Sequence, residues 1–250
     1  MAPTGVLLDF AKEFEATSIH AETSKLENDI LIKIYDFKNQ TTDKTLNCVE
    51  TKLQPSFFVC VYPIDKDVFI SKDLVLKKNP TSIFLDIGAN IGYYTLLAAK
   101  LGHPVLAVEP TTDHLTRIHR ALELENLTDN VVLLQNALAV KRELVNIYVS
   151  KTNQGDNRVV PKNSGEKDRP SNSHDLSSVT VNSLLLDDLI SVLTSNFSSS
   201  QSLKSTPLVM KVDIQAMESS VLVTGDYFFD NTNVILVMME WEPVIGPNCE

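Results

Sequence analysis

The stretch Ser82-Ile-Phe-Leu-Asp-Ile-Gly-Ala-Asn-Ile-Gly-Tyr-Tyr-Thr-Leu-Leu-Ala-Ala-Lys100, followed by Pro104-Val-Leu-Ala-Val-Glu-Pro110, decides how this chain folds. Ile83 to Ile87 is an apolar run too short for a helix and bounded by a turn signal, as expected of a strand covered on both faces. Gly88, Asn90 and Gly92 then require a tight bend, because glycine reaches φ > 0 freely and asparagine tolerates it next best. Ile91 to Leu101 is apolar, has no breaker after Gly92, and suits a helix. The order strand, glycine loop, helix, strand, with the second strand closing on a carboxylate, is the first half of a nucleotide-binding α/β unit. Ligands of such units lie beyond the carboxyl ends of parallel strands.

A dinucleotide loop, G-x-G-x-x-G, uses its second glycine to admit a pyrophosphate. Here Asn90 stands in that place and Asp86 precedes the bend, so an NAD-linked oxidoreductase is the weaker reading. An acid at the mouth of the loop suits a ligand with a positive centre and no phosphates. S-adenosylmethionine (SAM) has an ammonium, a sulfonium and a ribose whose hydroxyls want an acceptor. Glu109 stands 21 residues after Gly88 and ends the second strand, where a carboxylate accepts from both ribose hydroxyls.

With 250 residues and 43% apolar side chains the chain can build one α/β domain plus an appended segment. Mean hydropathy near zero, with no apolar run of about eighteen residues, predicts no membrane span. Met1 to Phe10 has no basic n-region and its apolar run stops at Asp9, so no signal peptide and a cytoplasmic location are expected. A net charge of −10 disfavours nucleic-acid backbones and anionic lipid. Cys48, Cys60 and Cys249 are odd in number and show no metal or disulfide spacing, which predicts reduced thiols. Asn39-Gln-Thr41, Asn126-Leu-Thr128 and Asn196-Phe-Ser198 are sequons, relevant only in the secretory pathway.

Residues 1–80 read as a mixed leader with short strands, packing against or lidding the domain at 81–250. Val6 to Phe14 suits a helix; Asp29 to Phe37, Pro55 to Tyr62 and Asp65 to Ser71 suit strands. After Pro110, Thr112 or Asp113 can cap a helix that buries Leu115, Ile118, Leu122 and Leu124 and turns Arg117, Arg120 and Glu123 to water. His114 and His119, five apart, read as surface histidines rather than a metal pair. Asn130 to Ala137 is a third buried strand, with Gln135 and Asn136 where adenine would lie, and Leu144 to Val149 a fourth. Polar sequence near 153–178 and serine-rich sequence near 195–205 predict loops, separated by a short strand and helix over Val179 to Leu193. Leu208 to Val212 is a buried strand ending in Asp213, and Asn233 to Glu242 another that passes through Glu240 and Trp241.

Phe84 to Thr95, Val108-Glu-Pro110, Asn136-Ala137, Leu186-Asp-Asp-Leu189, Lys211-Val-Asp213 with Glu218, and the strand to Glu240 together resemble the FkbM-type SAM-dependent methyltransferases, over about residues 56–242. The resemblance implies a class I methyltransferase fold, a Rossmann-like doubly wound α/β sheet. It implies O-methylation of a hydroxyl on a sugar or other small-molecule or glycan acceptor, with SAM held by Asp86, Gly88, Asn90, Gly92 and Glu109. Asp213 is the candidate general base, and Lys211, on the same strand face, its partner or a stabiliser of alkoxide charge. Glu218 and Glu240 add to an acidic rim that could hold a divalent cation, although the spacing demands none. The family pattern Lys-x-Asp-x-Glu-Gly-x-Glu is broken by Gln215-Ala216, and the chain stops at Glu250, where a closing β-hairpin is expected to be missing. These departures keep open a second reading, a weak or inactive relative serving as a binding or scaffold domain.

Overall fold

Ile83–Ile87 is buried at every position, and its side chains alternate between two apolar layers: Phe84 packs to one side of the sheet, Ile83, Leu85 and Ile87 to the other. The computed structural model describes residues 21–26, 30–35, 44–51, 55–60, 76, 79–150, 158–162, 176–197, 202–215 and 217–239. The elements run β1 (Ala21–Leu26), β2 (Ile30–Tyr35), β3 (Cys48–Glu50), β4 (Phe58–Cys60), β5 (Ile83–Ile87), α1 (Tyr93–Lys100) and β6 (Val105–Val108). Next come α2 (Thr112–Glu125), β7 (Val131–Leu134), β8 (Ala137–Leu138), β9 (Leu144–Ser150), β10 (Arg158–Pro161), β11 (Leu176–Leu184) and α3 (Leu189–Phe197). The last described are β12 (Pro207–Val212), α4 (Glu218–Leu222), α5 (Asp226–Asn231) and β13 (Asn233–Met239).

Seven strands form the main sheet in the order β1-β2-β7-β6-β5-β12-β13. Its five central and distal members, β7, β6, β5, β12 and β13, are parallel, as expected of strands joined by helical crossovers. Chain order runs outward from β5 through β6 to β7, then returns to β12 on the other side. That reversal puts a topological switch point between β5 and β12, where α/β folds open a crevice. The fold is the expected doubly wound one: α1 and α2 cover one face through Leu96, Leu97, Leu115, Ile118 and Leu122, while α3 and α5 cover the other through Leu189, Leu193 and Phe228. Among the described residues no helix is long and apolar enough to cross a membrane.

The described strands of the leader pack against the domain. β1 and β2 form a hairpin that adds antiparallel strands to the edge of the main sheet, Ile34 opposite Leu134. β3 and β4 make a separate ribbon with Cys48 directly opposite Cys60, and the two are joined in a disulfide, which corrects the expectation of reduced thiols. Two cysteines in neighbouring strands meet through register, a relation that spacing along the chain does not reveal. β4 lies against α2, where Glu125 accepts the Phe58 N–H at 2.6 Å and pairs with Lys100 at the end of α1. The helix expected at Val6 to Phe14 and the strand expected at Asp65 to Ser71 lie outside the described residues, as does any hairpin beyond Met239.

Two further corrections concern local structure. α2 is more enclosed than its polar residues suggest: His114, Arg117 and His119 are buried, whereas Leu124 is exposed. His114 is enclosed on the cleft side, where it meets Glu109. The stretch read as one long loop contains β10, which pairs with β9, and the first residues of β11. β9 itself joins a second sheet, β10-β9-β11-β8, rather than the parallel one.

Asp187 and Asp188 lie in the 3-10 turn Leu186–Asp188 that leads into α3. Asp188 accepts from the Leu185 N–H at 2.9 Å and receives Arg142 through Nε and Nη2, which raises the guanidinium's pKa; Asp187 accepts the Phe228 N–H at 2.6 Å. Asp188→Ala is expected to destabilise the fold by about 1–3 kcal/mol, the cost of a lost cap and an unpaired amide. Arg142→Ala, which leaves the cap in place, should cost less in the same urea titration.

Candidate active site

A cleft opens at the carboxyl ends of β5, β6 and β12, lined among others by Gly88, Asn90, Glu109, His114, Asn136, Asp213 and Gln215. The floor is backbone. Gly88 has φ 76°, and a Cβ placed there would lie 1.9 Å from the Asp213 carbonyl oxygen, so only glycine lets β5 and β12 close over the switch point. Gly92, at φ 84°, would push a Cβ to 2.6 Å from Ile118 on α2. Asn90 takes the left-handed conformation at φ 52° between them, the tolerance for which the sequence singled it out.

Glu109 is buried against this bend and heavily engaged. Oε2 accepts the Asn90 N–H at 2.9 Å; Oε1 accepts the Thr111 N–H at 3.0 Å and the Thr111 hydroxyl at 2.6 Å, and meets His114 Nδ1 at 3.0 Å. Burial pushes the carboxyl up, but His114 and the Thr111 bonds outweigh it and hold it below its ordinary value. Three contacts crowd Oε1, so the acceptor capacity left to a ligand lies mainly on Oε2. Thr111, not Thr112 or Asp113, is the N-cap residue of α2, and its hydroxyl serves Glu109 instead of the helix.

Asp86 and Lys211 are register partners across β5 and β12, which turns both toward the face covered by α1. Asp86 is sealed: Oδ2 accepts the Thr95 hydroxyl at 2.7 Å, and Oδ1 lies 3.6 Å from Lys211 Nζ. Lys211 Nζ donates to the Gly88 carbonyl at 2.7 Å, stands 3.3 Å from Asp213 Oδ2 and lies 5.5 Å from the Tyr94 ring centroid. Burial raises the Asp86 pKa against the pull of Lys211 and Thr95; burial lowers that of Lys211, but the two carboxylates outweigh it and raise it overall. Neither residue lines the cleft. Asp86, expected at the mouth of the loop, instead sits beneath it, because the strand's alternation points it under α1 rather than past the strand end.

Asp213 is different, with a side chain 38% exposed and a place in the cleft wall. Asn136 also lines the cleft, its Nδ2 tied to the Asn182 carbonyl at 3.0 Å; Gln135 turns to Thr112 instead. Glu218 accepts the Ile214 N–H at 2.8 Å and so fixes the turn after β12 rather than joining the cleft lining. Sequence reasoning missed His114, whose engagement with Glu109 depends on the helix starting one residue earlier than its apparent cap. Gln215, singled out in the sequence as a break in the family pattern, holds φ 57° on the cleft wall. Ala216, Glu240 and Trp241 lie outside the described residues. Among the described residues no three side chains of metal-binding type gather.

A parallel sheet with a glycine bend at its switch point, an engaged carboxylate ending the next strand and a half-exposed acid ending β12 defines a Rossmann-like methyltransferase fold. The chain belongs to the methyltransferase FkbM domain family, whose profile matches residues 86–248, and that membership supports methyl transfer as its reaction class. No curated protein matches the chain.

Gly88→Ala is expected to cost at least about 2–4 kcal/mol, through backbone strain and the contact with Asp213, and to lower the melting temperature accordingly. The depressed Glu109 carboxyl contributes stability that is complete above its ordinary value of 4.5 and is lost as pH falls through the lower folded value. Between about pH 6 and about pH 3, therefore, Glu109→Gln should lose less stability than the wild type in parallel urea titrations.

Proposed function

We propose that this chain is a SAM-dependent O-methyltransferase acting on a hydroxyl of a sugar or another small-molecule or glycan acceptor. The observation that carries the reading is the convergence of the Gly88–Asn90 bend, the Glu109 carboxylate and Asp213 on one cleft. The bend admits close approach of a ligand, Glu109 Oε2 takes a ribose hydroxyl, and Asn136 borders the adenine. Bound there, SAM would supply an electrophilic methyl on a sulfonium, a leaving group that needs no protonation.

The chain's own work is then to orient an acceptor oxygen and remove its proton. Asp213 is the general base, being the member of the buried charge cluster that reaches the cleft. Lys211 is a positioning residue: buried and bonded to Gly88, it holds Asp213 and the loop in one frame but does not touch the acceptor. The alternative, a non-catalytic binding domain, is favoured by Gln215, a neutral side chain on the cleft wall where the family pattern has an acid.

Calorimetry with S-adenosylhomocysteine should show binding that Glu109→Ala weakens about tenfold, equivalent to about 1.4 kcal/mol. Asp213→Asn should retain that binding while abolishing transfer from labelled SAM to a hydroxylated glycan panel. Binding without transfer by the wild-type chain would favour the scaffold reading; wild-type protein that binds no S-adenosylhomocysteine ends the methyltransferase reading.

A further inference from the structure

Cys60 is fully buried in the layer beneath α2, and β3 holds Cys48 against it in a disulfide. Forming that bond takes two thiols, which lose two protons and two electrons to an oxidised dithiol carrier, and it persists in compartments where thiols are not continually reduced. Such a compartment is also where Asn-x-Ser/Thr sequons become meaningful.

Asn126 and Asn196, the sequon asparagines within the described residues, are both exposed. Asn126 is the C-cap of α2 at φ 55°, a conformation asparagine tolerates; Asn196 lies in the last turn of α3, with Nδ2 donating to the Val192 carbonyl at 2.9 Å. α2 leads back to the start of β7 and α3 to the start of β12, so both helices end near the amino ends of the parallel strands. The cleft lies at the carboxyl ends, and neither asparagine lines it. A bulky hydrophilic glycan at either position meets solvent and leaves the cleft open. Asn79-Pro-Thr81 is barred by its proline.

We infer that the protein matures in the secretory pathway, where it acquires the Cys48–Cys60 bond and N-linked glycans on Asn126 and Asn196. At each site the carboxamide nitrogen bonds to C1 of a polyprenyl-diphosphate-linked oligosaccharide. The C1–oxygen bond breaks, the diphosphate leaves with its electron pair, and the amide gives up one proton. This compartment replaces the cytoplasmic one anticipated from Met1 to Phe10, and the inference does not rest on the methyltransferase reading.

The test is to produce the full-length protein in cultured animal cells, alkylate it without reductant, and compare it before and after peptide N-glycosidase. Glycosidase should increase its gel mobility. Thr128→Ala and Ser198→Ala, which delete the acceptor signals but leave both asparagines in place, should each remove one step of that shift. Cys48 and Cys60 should resist alkylation until reductant is added. No glycosidase shift overturns the inference, as does a shift unchanged in the double variant, which would put the sugar on Asn39 alone. Alkylation of both Cys48 and Cys60 without reductant overturns it as well.

Discussion

The approach of Gly88 to Asp213 constrains the rest of the molecule, because it closes the seam between β5 and β12 where the chain reverses direction through the sheet. Lys211 reaches across that seam to the Gly88 carbonyl, and the Asp213 N–H donates to the Ile87 carbonyl at 3.0 Å. With the seam shut, the glycine bend donates its Gly88 and Ala89 N–H groups to the Val108 carbonyl and the N–H of its left-handed Asn90 to Glu109 beyond the next strand. Were the strands forced apart, the bend would lose its floor and Glu109 its donor from Asn90. Burying Asp86 and Lys211 to secure this contact is costly in a low-dielectric interior. It is sustained because each ion keeps several partners: a hydroxyl and an ammonium for Asp86, a carbonyl, two carboxylates and a ring for Lys211.

Much of this was legible in the sequence, and for a local reason. Runs such as Ile83 to Ile87 and Leu208 to Val212 are apolar on both faces, so they declare buried parallel strands without help from distant residues. Gly88, Asn90 and Gly92 announce a bend because few other residues tolerate its angles. Glu109 could be placed at the cleft from its spacing alone. What spacing cannot supply is occupancy: Thr111 and His114 crowd one carboxylate oxygen, and only the packed helix shows it.

The misread positions share a different cause, contacts made between elements remote in the chain. His114, Arg117 and His119 look like the wet side of an amphipathic helix, yet all three are buried, His114 against Glu109. Cys48 and Cys60 are twelve residues apart, which suggests nothing, yet antiparallel register puts them side by side. Asp86 looks like a ligand contact from its nearness to the loop. Strand alternation overrides that nearness, since its Cβ points to the face beneath α1, with Lys211 beside it on β12.

The same alternation explains why Asp213, rather than Asp86 or Lys211, is the acid to consider for chemistry. Residues 211 and 213 share a face, but β12 ends at Val212, so Lys211 is roofed by α1 and Asp213 has passed beyond the sheet. A general base has to be reachable by its substrate and yet held in a fixed orientation. Along this line of charges accessibility rises from Asp86, sealed, through Lys211, nearly so, to Asp213, 38% exposed. The buried pair supplies the rigid support, and the strand's end supplies the access; neither alone would place a carboxylate both firmly and openly at the cleft.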